Sequence, residues 1–350
     1  MKLTHLEHLE DLLFDGQFIQ AIDLSVSLSE ALIGGSSKHI RVSTKYDGAP
    51  AIVFGKHPQH GCFFIGTKSV FNKRIPKINF SIQDIISNHL ENIDLTEKLI
   101  HSYDNLCEKD WDGVYQADLM FTPDSKRIDE KSISFTPNTI TYVAPRDTSI
   151  GERVENSKLG LVIHTKYEGD ILQDMNAVVG IDSPPLSDVC TIDPLIDIKN
   201  YILTELQYNC ITDSIGFCEQ SYNALKDRSI FTNHGKFLKM FVNYCIRIGE
   251  SSGDVVMYET FLNNRNETNL ANEVANRKVE FTTIFAIHKH LAYIKKILIK
   301  PMSLNHLFSH EVHGVPTTGE GFVVSYHGIP TKLVDRMEFS KLNFANNRFK

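Results

Sequence analysis

The feature that most constrains this chain is a change of pattern that later reverses. Residues 40–188 carry short β-like runs at 40–43, 51–54, 63–65, 114–121, 140–143 and 161–165. Gly, Pro, Asn and Asp separate these runs, as strand-and-turn sequences require. A single helix is expected among them, at 82–101. Residues 189–300 read instead as helices, at 195–206, 216–225, 235–248 and 270–299, from apolar residues at helical spacing. After Pro301 the β-like character returns at 321–326 and 332–334. A β pattern that stops and resumes predicts one mixed α/β domain of the α+β class, with antiparallel sheets, interrupted by a large helical insertion. The expected division is an N-terminal helical segment (1–39) ending at Gly34-Gly35-Ser36-Ser37, a catalytic domain (40–188 and 301–350), and the insertion (189–300).

Length and composition narrow the class. With 350 residues, 42% apolar and 23% charged, the chain has ample material for a substantial core. No apolar run approaches the roughly 18 residues of a membrane span, so no membrane association is expected. The first residues carry acids where a signal peptide carries bases. The six cysteines are scattered and form no C-x-x-C pair, as in reduced cytosolic chains. The expected location is the cytoplasm, the host's if the protein is viral. The net charge of −7 excludes a surface built to be coated in nucleic acid. A polynucleotide would have to be bound through a local basic surface.

The chemistry centres on Lys45-Tyr46-Asp47-Gly48, between two apolar strand-like runs. A lysine amine forms a bond to phosphorus once it is deprotonated by its surroundings. A glycine beside it lets the backbone approach a ligand closely. Further elements follow in order: Gly66-Thr67-Lys68-Ser69 after a strand, Asp118 within a strand, Glu320-Gly321-Phe322-Val323 at the head of a buried-looking strand, and Lys332 at the start of another. No P-loop and no G-x-G-x-x-G occurs.

This set resembles the motifs of the covalent nucleotidyltransferases, the ATP-dependent RNA and DNA ligases and mRNA capping enzymes. Lys45, Asp47 and Gly48 match their K-x-D-G motif, and Lys68 approximates the next, a strand-borne basic residue. Asp118 matches motif III, Glu320–Val323 motif IV and Lys332 motif V. The resemblance implies an aromatic that stacks on the base, with Tyr142 the candidate and His164 and Tyr167 its competitors. It also implies an ATP-grasp-like ligase catalytic domain in which Lys45 takes AMP from ATP. AMP would pass to a 5′-phosphate, and a 3′-hydroxyl would then displace it and seal the strand. Lys68 and Lys332 would neutralise the α-phosphate, and Asp118 and Glu320 would hold Mg²⁺.

Two positions depart from the family pattern. Motif III has Ala117-Asp118 in place of Gly-Glu, and Val334 takes the place of a second motif V lysine, for which Arg336 or Lys341 could substitute. The chain runs about 18 residues past Lys332, with no room for the C-terminal OB-fold of DNA ligases and capping enzymes. This points to the RNA-ligase branch, as found in bacteriophages, with RNA the expected partner and DNA less so. The alternatives are a minimal DNA ligase and a nucleic-acid-binding protein that has lost catalysis. His306, His310 and His313 with Glu311 suggest a metal cluster, but the plainer reading is a polar helix end. Lys289, Lys295, Lys296 and Lys300 give the last predicted helix a basic face that could meet phosphates.

Overall fold

The segment VYQADLMF, Val114–Phe121, is a central strand buried at every residue but Asp118. A run this apolar is stable only with sheet on both edges and cover on both faces. The structure, a computed structural model, describes residues 6–250, 253–304 and 307–338.

In chain order the elements begin with α1 (Phe18–Leu32), β1 (Ile40–Thr44), β2 (Ala51–Lys56), β3 (Phe63–Gly66), α2 (Ile82–His89), α3 (Ile93–Leu106), β4 (Val114–Phe121), β5 (Lys126–Ile128) and β6 (Ser132–Phe135). They continue with β7 (Thr141–Pro145), α4 (Ser149–Asn156), β8 (Leu159–Glu168), β9 (Asn176–Val179), β10 (Val189–Thr191), β11 (Leu195–Ile196), α5 (Glu205–Ala224) and α6 (Ser229–Arg247). The last are α7 (Val255–Asn263), α8 (Thr268–Asn276), α9 (Lys278–Met302), β12 (Ser309–Val312), β13 (Val315–Thr317), β14 (Phe322–Tyr326) and β15 (Ile329–Leu333). The fold is mixed α/β with several antiparallel sheets. The described residues divide into two compact units: one holds residues 41–196 and 307–320, the other residues 6–40, 197–250, 253–304 and 321–338.

The first unit contains two sheets. One runs β10-β8-β4-β2-β3, with β9 beside β8, and is antiparallel except for the β8–β10 pair. Alternation sends Tyr115, Ala117 and Leu119 of β4 to one face. There they join Ile52, Phe54, Ile65, Leu161 and Ile163 beneath Ile85, Leu99 and Leu106 of α2 and α3. Asp118 therefore points to the opposite face, where Val53, Val114 and Tyr167 form a second, smaller cluster. The other sheet runs β13-β12-β7-β6-β5, all antiparallel.

The second unit is helical, with α5 lying along α9 and the β14–β15 hairpin paired antiparallel. Among its buried charges, Glu10 accepts from Lys295 at 2.6 Å, and Asp11 binds Arg336 at 2.9 Å and His288 at 3.1 Å. No helix among the described residues is long and apolar enough to cross a membrane.

Several expected elements differ. The helix expected at 82–101 is two helices, because Asn92 turns its side chain onto the amide of Leu95 and starts α3 afresh. The helix expected at 195–206 is instead the strand β11 and a 3₁₀ turn, and α5, capped reciprocally by Thr204 and Gln207, runs from Glu205 through the helix expected at 216–225. The long helix expected at 270–299 divides at Arg277, whose φ of −125° is not helical. Among the described residues of the N-terminal segment only Phe18–Leu32 is α-helical, preceded by a 3₁₀ turn at Glu10–Leu13. The polar helix end expected near His310 is a hairpin instead. β12 and β13 flank His313 and Gly314, whose positive φ values of 52° and 76° suit a two-residue turn. His310 is buried in β12, and His306 lies outside the described residues.

Candidate functional site

The K-x-D-G loop leaves β1 and is fastened on two sides. The Asp47 carboxylate accepts from the Asn138 side chain (2.8 Å) and from the main-chain amides of Thr139 (2.7 Å) and Ile140 (3.1 Å). The amide of Asp47 donates to the Tyr142 hydroxyl at 2.6 Å. These four bonds tie the loop to the start of β7 in the second sheet. On the other side Gly48 lies against β4. A Cβ at this position would meet the Asp118 Cβ at 2.5 Å and the Met120 sulfur at 2.9 Å. Real Cβ atoms do not approach that closely, so glycine here reflects a contact rather than a turn.

Lys45 stands at the head of this loop. Its Nζ lies 2.5 Å from Oε2 of Glu320, with the two side chains 26% and 10% exposed. The K-x-D-G lysine and the E-G-F-V acid, far apart in the chain, are thus one ion pair open to solvent on the lysine side. Asp118 is half-buried beneath Gly48, and His164 Nε2 lies 3.7 Å from its Oδ1. Lys68 begins a 3₁₀ turn just after β3. Because Gly66 pairs with Val53 and Asp118 with Ala51, Lys68 leaves the sheet at the end where Asp118 sits.

Three expectations change at this site. Tyr142 is 1% exposed, enclosed by Phe135, Phe308 and His310. Its ring offers no face to a base, and burial drives its hydroxyl pKa well above the usual tyrosine value. Its place is that of a prop under Asp47. Of the competing aromatics, Tyr167 is also buried, with its hydroxyl on Gln116, while His164 is partly open. Lys332 belongs to the second unit, on β15 opposite Val323, with its main chain bonded to residues 7 and 9. Arg336 is committed to Asp11 and Asn243 rather than standing as a second basic residue, and Lys341 lies outside the described residues.

Lys295 also departs from expectation. It is 4% exposed and engaged with Glu10, so the exposed basic stripe of α9 is Lys289, Lys296 and Lys300. Sequence reasoning passed over the proximity of His164 to Asp118, which depends on a register shift in the β4–β8 pairing between Gln116 and Ala117.

A family model described as a family of unknown function, DUF6267, matches residues 3–348. No curated protein and no solved structure matches the chain.

Proposed function

The chain belongs to the DUF6267 family, and we propose that it is a covalent nucleotidyltransferase, an ATP-dependent polynucleotide ligase acting most readily on RNA. The observation that carries this reading is the Lys45–Glu320 pair. Two motif residues from opposite ends of the chain meet at one atom-to-atom contact, on a loop whose other motif residues are each used.

In this reading Lys45 Nζ attacks the α-phosphorus of ATP. The ammonium first passes a proton to water, then the N–P bond forms, the P–O bond to the leaving pyrophosphate breaks with its electron pair, and the nitrogen passes its second proton to water. The attacking amine must be neutral, so Glu320 must release it when nucleotide arrives. Asp118 and Glu320 are hard oxygen donors of the kind magnesium prefers, and both belong to the same unit as Lys45. A magnesium ion held by them would neutralise charge on the reacting phosphate oxygens. Lys68, at the same end of the sheet, adds a fixed positive charge. Asp47 acts by holding the loop, and Lys332 is retained as the motif V match. AMP then passes to a 5′-phosphate, and attack by a 3′-hydroxyl releases AMP and seals the strand.

The test is intact-protein mass spectrometry after incubation with ATP and Mg²⁺. Wild type should gain the mass of one AMP, GTP should label poorly, and Lys45→Ala should gain nothing while staying folded. No mass gain in wild type, or equal gain in the alanine variant, overturns the proposal. A minimal DNA ligase would use the same residues, so sealing of nicked DNA against single-stranded RNA separates the two.

A further inference from the structure

Between Asp47 and Asp84 the chain contains no acidic residue and five cations, Lys56, Lys68, Lys73, Arg74 and Lys77. In a chain of net charge −7 this is a strong local excess. Lys56, at the far end of β2, lies opposite Phe63 and is remote from the others. The other four fall in one loop, 67–78, whose base is closed tightly. Ile65 and Asn79 exchange main-chain hydrogen bonds of 2.9 and 3.1 Å, and the buried Asn79 side chain adds a third to the Ile65 carbonyl at 2.7 Å. At Gly66 a Cβ would meet Val70 at 2.5 Å and the Lys77 carbonyl at 2.8 Å, so the loop doubles back hard against its own strand.

The tip of this closed loop is exposed. Lys68, Lys73 and Arg74 are exposed, as is Ile75 at 74%. Lys68 and Arg74 have no ion-pair partner among the described residues. Lys73 meets Asp174 at 2.7 Å, but both side chains are more than half exposed. A pair so wetted contributes little and exchanges easily for another anion. Lys77 differs, because its Nζ is spent on the Asn88 carbonyl. The loop leaves the sheet two strands from Asp118, about 10 Å at the usual strand spacing, and at the same end.

We propose that this loop, through Lys68, Lys73 and Arg74, is the surface on which the phosphate backbone of a polynucleotide strand docks against the β-sheet unit. The choice of partner rests on the nucleotidyltransferase reading; the charge pattern itself does not. The loop would supply the local basic surface that an acidic chain needs for a polyanion. Its closed base means little ordering is required on binding. The single apolar residue at the tip is too little for a membrane anchor.

The experiment uses the full chain with Lys73→Gln/Arg74→Gln, leaving Lys68 in place. Binding of a 5′-phosphorylated single-stranded oligoribonucleotide is followed by fluorescence anisotropy across a salt titration. Each lost phosphate contact should lower the slope of log K against log salt by about 0.7, so two should lower it by about 1.4 and weaken binding roughly tenfold at 0.15 M salt. AMP loading of Lys45 should stay at the wild-type level, and Lys73→Arg should bind as wild type. Unchanged slope and affinity in the double variant overturn the proposal. So does loop-dependent binding to phosphatidylserine vesicles without any binding to the oligonucleotide, which would make the loop lipid-facing. If wild type takes no AMP yet loses RNA binding in the double variant, the docking surface stands and the covalent reading falls.

Discussion

Asp47 can be separated into a chemical and a mechanical role by two substitutions. In Asp47→Ala, the Thr139 and Ile140 amides lose the acceptor they reach at 2.7 and 3.1 Å. Both amides belong to buried residues, and an orphaned buried donor costs about 1–3 kcal/mol. Together they imply a loss of about 4 kcal/mol, with a smaller addition from Asn138, which is half-buried and within reach of water. That is a large part of the roughly 5–15 kcal/mol that holds a domain folded. In Asp47→Asn, the amide oxygen can serve Thr139 and Ile140, and Asn138 can turn its own oxygen towards the new NH₂ group. Only the charge assistance goes, about 1–2 kcal/mol. The chain's one tryptophan, Trp111, is buried in the α2–α3 face of the main sheet. Its fluorescence therefore follows urea unfolding of this unit, with stability compared at constant m. Asp47→Asn should also keep most AMP loading. Wild-type stability in Asp47→Ala refutes the argument from hydrogen bonds. Full stability with abolished loading in Asp47→Asn would make the carboxylate a chemical participant rather than a fastening.

Other perturbations read other parts of the molecule. Glu320→Ala and Asp118→Ala should each slow AMP loading by roughly a hundredfold or more, with partial recovery at high Mg²⁺; wild-type rates in both, by mass spectrometry, would remove them from the site. In the helical unit, Lys295→Met leaves Glu10 buried without its 2.6 Å partner and should cost about 3–5 kcal/mol, read as a lowered Tm by circular dichroism, whereas Lys295→Met/Glu10→Met should recover most of it. Burial alone would raise the Glu10 pKa, but Lys295, His8 and Arg336 outweigh it and hold the group down at about 2, from 4.5. A depressed carboxylate stabilises the fold above its unfolded value, so stability should fall as pH drops from 4.5 towards 2, less steeply in Glu10→Gln; identical melting profiles would contradict this. Replacing Lys289, Lys296 and Lys300 of α9 with Gln should weaken RNA binding and flatten its salt dependence while AMP loading holds, and unchanged binding would leave the stripe a solvated face.

What the sequence disclosed divides along physical lines. Four strands of the main sheet, β2, β3, β4 and β8, were legible as apolar runs, whereas its outer strands β9 and β10 were missed because they are only four and three residues long. Glu320 and Lys45 could be nominated separately, but their pairing depends on tertiary structure that no local pattern carries. Helix boundaries at Asn92, Thr204 and Arg277 were misread because a continuous apolar stripe persists across them, and the break lies in capping chemistry rather than periodicity. Lys295 was read as part of an exposed basic face, since nothing in a linear pattern marks a lysine whose partner Glu10 lies nearly 300 residues away. Tyr142 was chosen for its strand and its type, but whether an aromatic faces a ligand or a core depends on which side the neighbouring sheet covers.

The meeting of Lys45 with Glu320 also orders events during synthesis. A ribosome adding about 5–20 residues per second completes the loop and the Asp118 strand before it reaches the helical segment. Glu320 enters the chain only after the whole helical segment up to Leu304 has been made. A nascent chain or fragment that ends between residues 121 and 320 holds the lysine, the glycine and the strand acid without the carboxylate that meets the lysine. A copy that ends short of residue 320 therefore cannot form the ion pair, whatever else of it folds.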